Sequence, residues 1–210
     1  MRVEMEVDES LRHRPLFYPA PAASGPPPAV CYDSPVLRPF PSYPACPVCG
    51  EKSVTPGALG IRWTWDDARR RARGRFVPGP EHTGYAGVLH GGLLSAILDE
   101  CLAWACAVEK RSYCLTGELN VRFREPARLG EAIEISAWTV AAWGPYVKAE
   151  AEALSPTGAP VASATATFAA MSREESRALH AALRLAPGDV DILSDDLLTG
   201  SPLPETLGNL

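Results

Sequence analysis

The pattern of apolar positions divides the central part of the chain into one long helix and a series of strands. Residues 93–106 are almost wholly Leu, Ile, Ala, Cys and Trp, which predicts a helix over about 91–108 that is buried on all sides. A short strand is predicted before it over 58–65, and a basic run leads into a second strand that ends at Pro78. Four longer β-like segments follow the helix, each bounded by turn residues: 116–125, 131–143, 145–154 and 160–171.

These later segments alternate β-branched or aromatic residues with small or polar ones, which is typical of an antiparallel sheet with one buried face. A helix that is apolar on every side must be shielded from water on every side, and the buried face of the sheet can enclose it. The pattern therefore predicts an α+β fold in which the antiparallel sheet curls around one long central helix.

The two ends of the chain differ from this central part. Eleven of the 21 prolines fall within the first 47 residues, so residues 1–45 are predicted to form a Pro-rich arm over the domain or a partner subunit. A docking ligand is the alternative role for this arm. Residues 46–171 form the predicted domain, and residues 172–210 a C-terminal helix and tail in which Ser172 and Glu175 have the spacing of a capping box.

Composition narrows the class of protein. A chain of 210 residues suits one domain, and 25 acidic against 20 basic side chains argue against a nucleic-acid-binding protein. Six scattered cysteines favour reduced thiols over a disulfide scaffold. No secretory signal is visible, and Asp99 and Glu100 interrupt the longest apolar run. A cytoplasmic protein without a membrane span is therefore expected.

Candidate chemistry is concentrated where the helix begins. His90, Gly91 and Gly92 precede the apolar run, and the first amides of a helix have no partner within it. Glycine lets a carbonyl oxygen approach such amides closely. The amides of Gly91 and Gly92 are therefore candidate donors to the oxyanion of an acyl-transfer reaction, and Asp99 is a candidate base or nucleophile on the same helix.

At these residues the chain resembles a known family. His90-Gly91-Gly92, followed by Leu98-Asp99-Glu100, looks like the hotdog-fold acyl-coenzyme A thioesterases, in particular the PaaI-like group and the thioesterase superfamily members. The resemblance extends to the downstream run 115–126 and to the upstream motif Cys46-Pro47-Val48-Cys49-Gly50. It implies a hotdog fold, hydrolysis of acyl-CoA to free acid and CoA, a homodimer or a dimer of dimers, and no cofactor.

The spacing of these groups predicts an oligomer independently. Asp99 lies eight residues after Gly91, or roughly 12 Å along a helix. A reacting carbon must lie about 3 Å from both the attacking group and the oxyanion donor. One chain cannot satisfy both distances, whereas two antiparallel copies can, with Asp99 of one against the helix start of the other.

Several roles stay open within this site. Glu100 is the alternative working carboxylate or a substrate-binding residue. His90 holds the thioester, orients the glycine turn or is a structural, partly buried histidine. Thr116 places a hydroxyl near Asp99 in the resembled family or is only a good strand former. Members of the family carry an upstream Asn that this chain lacks, and His82, Thr83 and Tyr85 are its possible substitutes.

Charged and sulfur-containing motifs have simpler interpretations. The run Arg69–Arg75 is favoured as a solvated strand edge. Arg122, Arg124 and Arg128 compete with it for the phosphates of CoA. Cys46 and Cys49 have the spacing of half a zinc site, but no second pair of ligands occurs at a suitable spacing. We therefore predict that both are packing thiols and that no metal is bound.

Two other functions remain as alternatives. One is a non-catalytic acyl-CoA-binding protein. The other is a hotdog enoyl-CoA hydratase, which would need a His shortly after Asp99, and none occurs before His180.

Overall fold

A long helix lies against the inner face of a seven-stranded antiparallel sheet. The computed structural model describes residues 37–194, which lie in one unit. In chain order the elements are β1 Leu37–Pro39, β2 Thr64–Asp66, β3 Arg71–Phe76, β4 Thr83–Tyr85, β5 Val88–Leu89, α1 Gly91–Lys110, β6 Cys114–Phe123, β7 Ile133–Trp143, β8 Tyr146–Leu154, β9 Pro160–Ala170 and α2 Arg173–Ala181. The large sheet has the strand order β1-β2-β3-β7-β8-β9-β6, and β4 and β5 form a separate hairpin.

Alternation along β7, β8 and β9 creates the buried face that the sequence predicts. On β8 and β9 most inward positions are alanine, including Ala149, Ala151 and Ala164, and all three are buried. Small inward side chains let the bulky residues of α1, such as Leu98 and Leu102, pack closely onto the sheet. The helix contacts β3, β6, β7, β8 and β9, so the sheet curls around it. The predicted α+β hotdog architecture is confirmed.

The length and composition of α1 also suit a membrane span, but the helix forms the core of this domain. Ten of its residues are buried, among them Ile97, Leu98 and Leu102, which are fully enclosed. The helix runs two residues beyond the predicted end and stops at Arg111, whose φ of 50° is left-handed. Its apolar character is therefore explained by burial within the sheet.

The predicted strand over 58–65 is only partly correct. Ile61, Trp63 and Trp65 alternate inward as expected, but regular pairing begins at Thr64. Gly60 has a φ of +71°, which interrupts the extended backbone. The preceding residues instead bond to the Cys46–Gly50 turn, where Ile61 N–H donates to the Val48 carbonyl at 3.0 Å.

The described ends of the chain belong to the domain. Residues 1–36 of the predicted arm lie outside the described residues, but its last part forms β1 and places Phe40 against Trp104, with ring centroids 4.7 Å apart. In the C-terminal part, Val190 and Ile192 are fully buried, and Val190 N–H donates to the Pro39 carbonyl at 2.7 Å. The domain thus extends beyond the predicted limits of 46 and 171.

α2 begins as predicted. The Ser172 hydroxyl accepts from Glu175 N–H at 3.2 Å, and the Glu175 carboxylate accepts from Ser172 N–H at 2.9 Å. This reciprocal pair is the predicted capping box.

Phe40→Ala tests whether the described end of the arm is a part of the core. Phe40 is 4% exposed and stacked on Trp104, so its truncation is expected to lower the free energy of unfolding by about 3–5 kcal/mol. Chemical denaturation measures the change. Tyr43→Ala is the matched control, because Tyr43 is 40% exposed and should cost far less. Equal, small losses for both variants would show that the segment contributes little to the core.

Candidate active site

A small hairpin directly precedes α1 and packs against the first residues of the helix. The hairpin of β4 and β5 ends one residue before His90, whose N–H donates to the His82 carbonyl at 2.9 Å. Gly84 lies so close that a Cβ there would be 2.8 Å from the Cα of His90. His90 is the N-cap residue, with extended backbone angles, and α1 follows directly. The glycine at position 84 is thus required for the hairpin to pack against the helix start.

Of the backbone amides of Gly91 and Gly92, one already donates a hydrogen bond within the chain. Gly92 N–H donates to Nδ1 of His90 at 3.0 Å, so the His90 side chain caps the helix and orients the turn, one of the roles considered for it. Among the described residues, Gly91 N–H has no hydrogen-bond acceptor. Gly91 is therefore the glycine amide that remains free to donate, and Gly92 would become a donor only after the His90 ring turns away. His90 is exposed within one chain, unlike the partly buried histidine of the third alternative.

Asp99 and Thr116 lie together, as the resemblance implies. The Thr116 hydroxyl donates to Oδ1 of Asp99 at 2.9 Å. Partial burial on α1 raises the pKa of Asp99 above its ordinary value, and the Thr116 hydrogen bond opposes that rise. A carboxylate with a raised pKa is a stronger base near neutral pH than an exposed aspartate. The catalytic roles of the two residues stay predictions.

Strand β6 connects the two parts of the site. Its last residue, Phe123, covers the helix start, because a Cβ on Gly91 would be 3.3 Å from the tip of the Phe123 ring. Thr116, which contacts Asp99, lies near the opposite end of the strand. Within one chain, Gly91 and Asp99 therefore lie near opposite ends of β6. Phe123 was not predicted as a site residue, and its only signal in the sequence is the alternation it shares with Val121.

The stretch of sequence that contains this site matches a known protein family. Residues 86–162, which include the helix start, Asp99 and Thr116, match the family model of the thioesterase superfamily. Residues 86–162 carry a thioesterase-superfamily domain. The predicted resemblance to the hotdog-fold thioesterases is confirmed over these residues, and the match supports thioester hydrolysis in general.

Individual relatives of the thioesterase-superfamily domain are distant. The chain is 26% identical over 120 residues to the uncharacterized mitochondrial membrane protein FMP10 of Saccharomyces cerevisiae. That match covers 54% of this chain, which spans about half (49%) of the length of the curated relative.

Two solved structures share the fold. A thioesterase superfamily protein has a TM-score of 0.53 and 20% identity, with 60% of each chain covered. The E. coli PaaI protein from the phenylacetic acid degradation operon has a TM-score of 0.50 and 18% identity over 54% of this chain and 81% of that chain. At these identities the likeness concerns the fold alone.

Glu100 has different partners from Asp99 in the thioesterase-superfamily domain. Oε2 of Glu100 lies 3.3 Å from Sγ of Cys46, on the side of α1 that meets the Cys46–Gly50 turn. Burial raises the pKa of Glu100 to about 8, and a hydrogen bond from Cys49 opposes the rise. Hydrogen bonding with Cys49 lowers the pKa of Cys46 to about 5, whereas the same bond and burial raise the pKa of Cys49. The predicted role of Glu100 in substrate binding stays a prediction.

The arginines separate into two groups. All five arginines of the run 69–75 form ion pairs, including Arg69 and Arg73 with the fully buried Asp66 and Arg71 with Glu152. The sequence favoured a solvated strand edge, and that interpretation is wrong: β3 lies inside the sheet between β2 and β7, and its arginines are held in ion pairs. Among the described residues, Arg122 and Arg124 form no ion pair, and they line a groove of about 210 Å³ on the outer face of the sheet.

Of the three possible substitutes for the missing upstream Asn, none has its side chain bonded at the helix start. His82 is buried and accepts from Gly79 N–H at 2.8 Å, and the Thr83 hydroxyl donates to the Pro80 carbonyl at 2.5 Å. Tyr85 is 86% exposed at the tip of the hairpin. Of the three, Tyr85 is the residue whose polar group makes no hydrogen bond to another described residue.

Proposed function

We propose that this protein hydrolyses acyl-CoA thioesters at two sites shared between the subunits of a homodimer. In each site Asp99 of one subunit attacks, or activates a water that attacks, the thioester carbonyl. The amide of Gly91 of the partner subunit binds the oxygen on which negative charge develops. The observation that carries the proposal is the half-buried Asp99, hydrogen-bonded to Thr116 within a thioesterase-superfamily domain.

The shared site follows from the geometry of α1 and β6. Asp99 is eight positions after Gly91 on the helix, which separates the two by roughly 12 Å, about four times the distance of 3 Å that the reaction requires. β6 is an edge of the sheet, and its apolar residues Leu115 and Phe123 are 57% and 53% exposed. A ten-residue edge strand with exposed apolar residues is a surface that another chain readily pairs with. Pairing of β6 with β6 of a second copy would bring each Asp99 toward the partner's helix start.

Thiol release from acyl-CoA esters tests the proposed activity. The full chain is assayed with a series of straight-chain acyl-CoA esters and with phenylacetyl-CoA, and free CoA thiol is detected colorimetrically. Turnover with at least one ester supports the proposal. Stoichiometric binding of acyl-CoA without thiol release would instead select a non-catalytic binding protein, and hydration of an enoyl-CoA would select a hydratase.

Charge reversal tests whether Arg122 and Arg124 bind the phosphates of CoA. Arg122→Glu and Arg124→Glu are each expected to raise KM for acyl-CoA about tenfold while kcat changes less than about twofold, because the phosphates lie far from the reacting carbonyl. Steady-state kinetics at low ionic strength measure both constants. Arg177→Glu, on the exposed face of α2, is the control. Equal KM values for all three variants would rule out this phosphate site.

We propose that the protein is located in the cytoplasm. It is supported by the five cysteines within residues 37–194, all of which are free thiols. The yeast relative is named as a mitochondrial membrane protein, so the mitochondrion is the alternative. Microscopy of the tagged full chain, with markers for both compartments, distinguishes them.

A further inference from the structure

A cluster outside the proposed catalytic pair brings together two thiols and a carboxyl group. Sγ of Cys46, Sγ of Cys49 and a carboxylate oxygen of Glu100 all lie within 4.8 Å of one another. The thiols belong to the turn Cys46–Gly50, and the carboxyl group is contributed by the middle of α1. Groups that are far apart in the sequence thus converge on one point.

The turn that carries the thiols is held in one conformation. Sγ of Cys46 accepts from Val48 N–H at 3.3 Å and donates to Oε2 of Glu100 at 3.3 Å. Gly50 N–H donates to the Cys46 carbonyl at 3.0 Å, and a Cβ on Gly50 would be only 2.0 Å from that carbonyl oxygen. Arg62 also donates to the Cys49 carbonyl at 2.8 Å. The backbone that carries both sulfurs is therefore held in place before any ligand binds.

Within residues 37–194 no cation pairs with the carboxyl group of this cluster, since the nearby Arg62 guanidinium donates to the Cys49 carbonyl rather than to Glu100. Among the described residues, Glu100 forms no ion pair, and the side of α1 on which it lies is otherwise lined by apolar and aromatic groups such as Trp104 and Tyr113. A partly buried carboxyl group beside two thiols is costly unless a cation or protons neutralise it. A divalent cation would supply that charge and bind all three groups at once.

We propose that Cys46, Cys49 and Glu100 bind a zinc ion. Two thiolates and one carboxylate are ligands that zinc accepts, whereas magnesium and calcium avoid sulfur. Three protein ligands leave the fourth tetrahedral position to water, and a cavity of about 190 Å³ adjoins the cluster on this side. Binding displaces the protons of the ligand groups into solvent. The ion ties the turn to the middle of α1, next to Asp99, and this role is independent of the proposed hydrolysis.

Metal analysis of the purified full chain tests the site. After incubation with zinc sulfate under reducing conditions and removal of free metal, we expect about one zinc ion per chain. Cobalt in place of zinc should give the near-ultraviolet absorption of thiolate-to-cobalt charge transfer. Cys46→Ser, Cys49→Ser and Glu100→Gln should each weaken zinc binding by roughly 100-fold or more.

The matched control is Cys114→Ser. Cys114 lines the same cavity but is not in the cluster, so this variant should retain zinc and the cobalt spectrum. Zinc should also raise Tm of the wild-type chain and of Cys114→Ser, but not of Glu100→Gln, which keeps both thiols and the shape of the side chain.

Three results would overturn the proposal. They are a wild-type chain that retains less than about a tenth of an equivalent of zinc, equal loss of zinc in Cys114→Ser, and a Cys46–Cys49 disulfide that forms in the presence of zinc. Because the cobalt spectrum and the metal content are measured on the wild-type chain, the test does not depend on the folding of any variant. Absence of thioesterase activity in the same preparation would count against the proposed function only.

Discussion

Asp99→Asn is expected to lower kcat for acyl-CoA hydrolysis by about 10²–10⁴-fold, which is the usual contribution of a general base. The amide has nearly the same shape as the carboxylate, and its oxygen still accepts the hydrogen bond that the Thr116 hydroxyl donates to Asp99. It cannot accept a proton or attack a carbonyl. The loss should therefore appear in kcat while the affinity for acyl-CoA, measured by calorimetry, remains within a few-fold of the wild-type value.

Glu118→Gln is the matched control for this substitution. Glu118 is an exposed carboxylate on the same strand as Thr116, on the outer face of the sheet, so its conversion to an amide should leave kcat within about twofold of the wild type. If Asp99→Asn kept more than a tenth of the wild-type rate, Asp99 would not be the working carboxylate. The neighbouring Glu100, the alternative from the sequence, would then be the next residue to test.

Mixing two inactive variants should restore activity if the sites are shared between subunits. One variant is Asp99→Asn, and the other is Gly91→Pro, which removes the amide hydrogen proposed to bind the oxyanion. Gly91 is the first residue of α1, where proline is tolerated, and His90 has the extended angles, φ −61° and ψ 126°, that proline requires before it. Loss of this donor alone is expected to lower kcat by about 10²–10³-fold.

In a mixed dimer, one site carries both substitutions and the other carries neither. After exchange of subunits at equal concentrations, about half of the dimers are mixed and each has one intact site, so about a quarter of the wild-type activity should return. Recovery is followed by thiol release over time. No recovery, together with proven formation of mixed dimers, would place the whole site within one chain.

Gly91→Ala is the control for this experiment. It introduces the same contact with the tip of the Phe123 ring, at 3.3 Å, but keeps the amide hydrogen. It should therefore retain most of the activity. If Gly91→Ala were as slow as Gly91→Pro, the contact with Phe123, rather than the hydrogen-bond donor, would explain the loss.

Much of the fold is predictable because the core residues repeat at regular intervals. The four long strands and the central helix were predicted within a few residues, since period-two alternation and an all-apolar helix each have one simple packing solution. Where backbone pairing depends on distant groups, prediction failed. The segment around Gly60 bonds to the Cys46–Gly50 turn rather than to a strand, and no local pattern indicates that choice.

The candidate site was likewise predictable only in part. The motif from His90 to Asp99 is local, so its helix start and carboxylate could be recognised in order along the chain. The use of the Gly92 amide by His90, and the free amide of Gly91, depend on a side-chain rotamer. The ion pairs of Arg70 and Arg71 were likewise invisible, because their partners, Glu109 and Glu152, are far away in sequence.

The sequence by itself determined the architecture and the Asp99–Gly91 spacing that one subunit cannot span, because these properties depend on periodicity and on distances along one helix. The motif from His90 to Glu100 carried the resemblance to the hotdog-fold thioesterases. The resemblance already implied that Thr116 meets Asp99, and only the tertiary structure decided the other contacts, those of Phe123 with Gly91 and of Cys46 and Cys49 with Glu100. The physical reason is that the two carboxylates, adjacent in sequence, point about 100° apart around α1. Packing then gives each a separate environment, a hydroxyl for Asp99 and two thiols for Glu100.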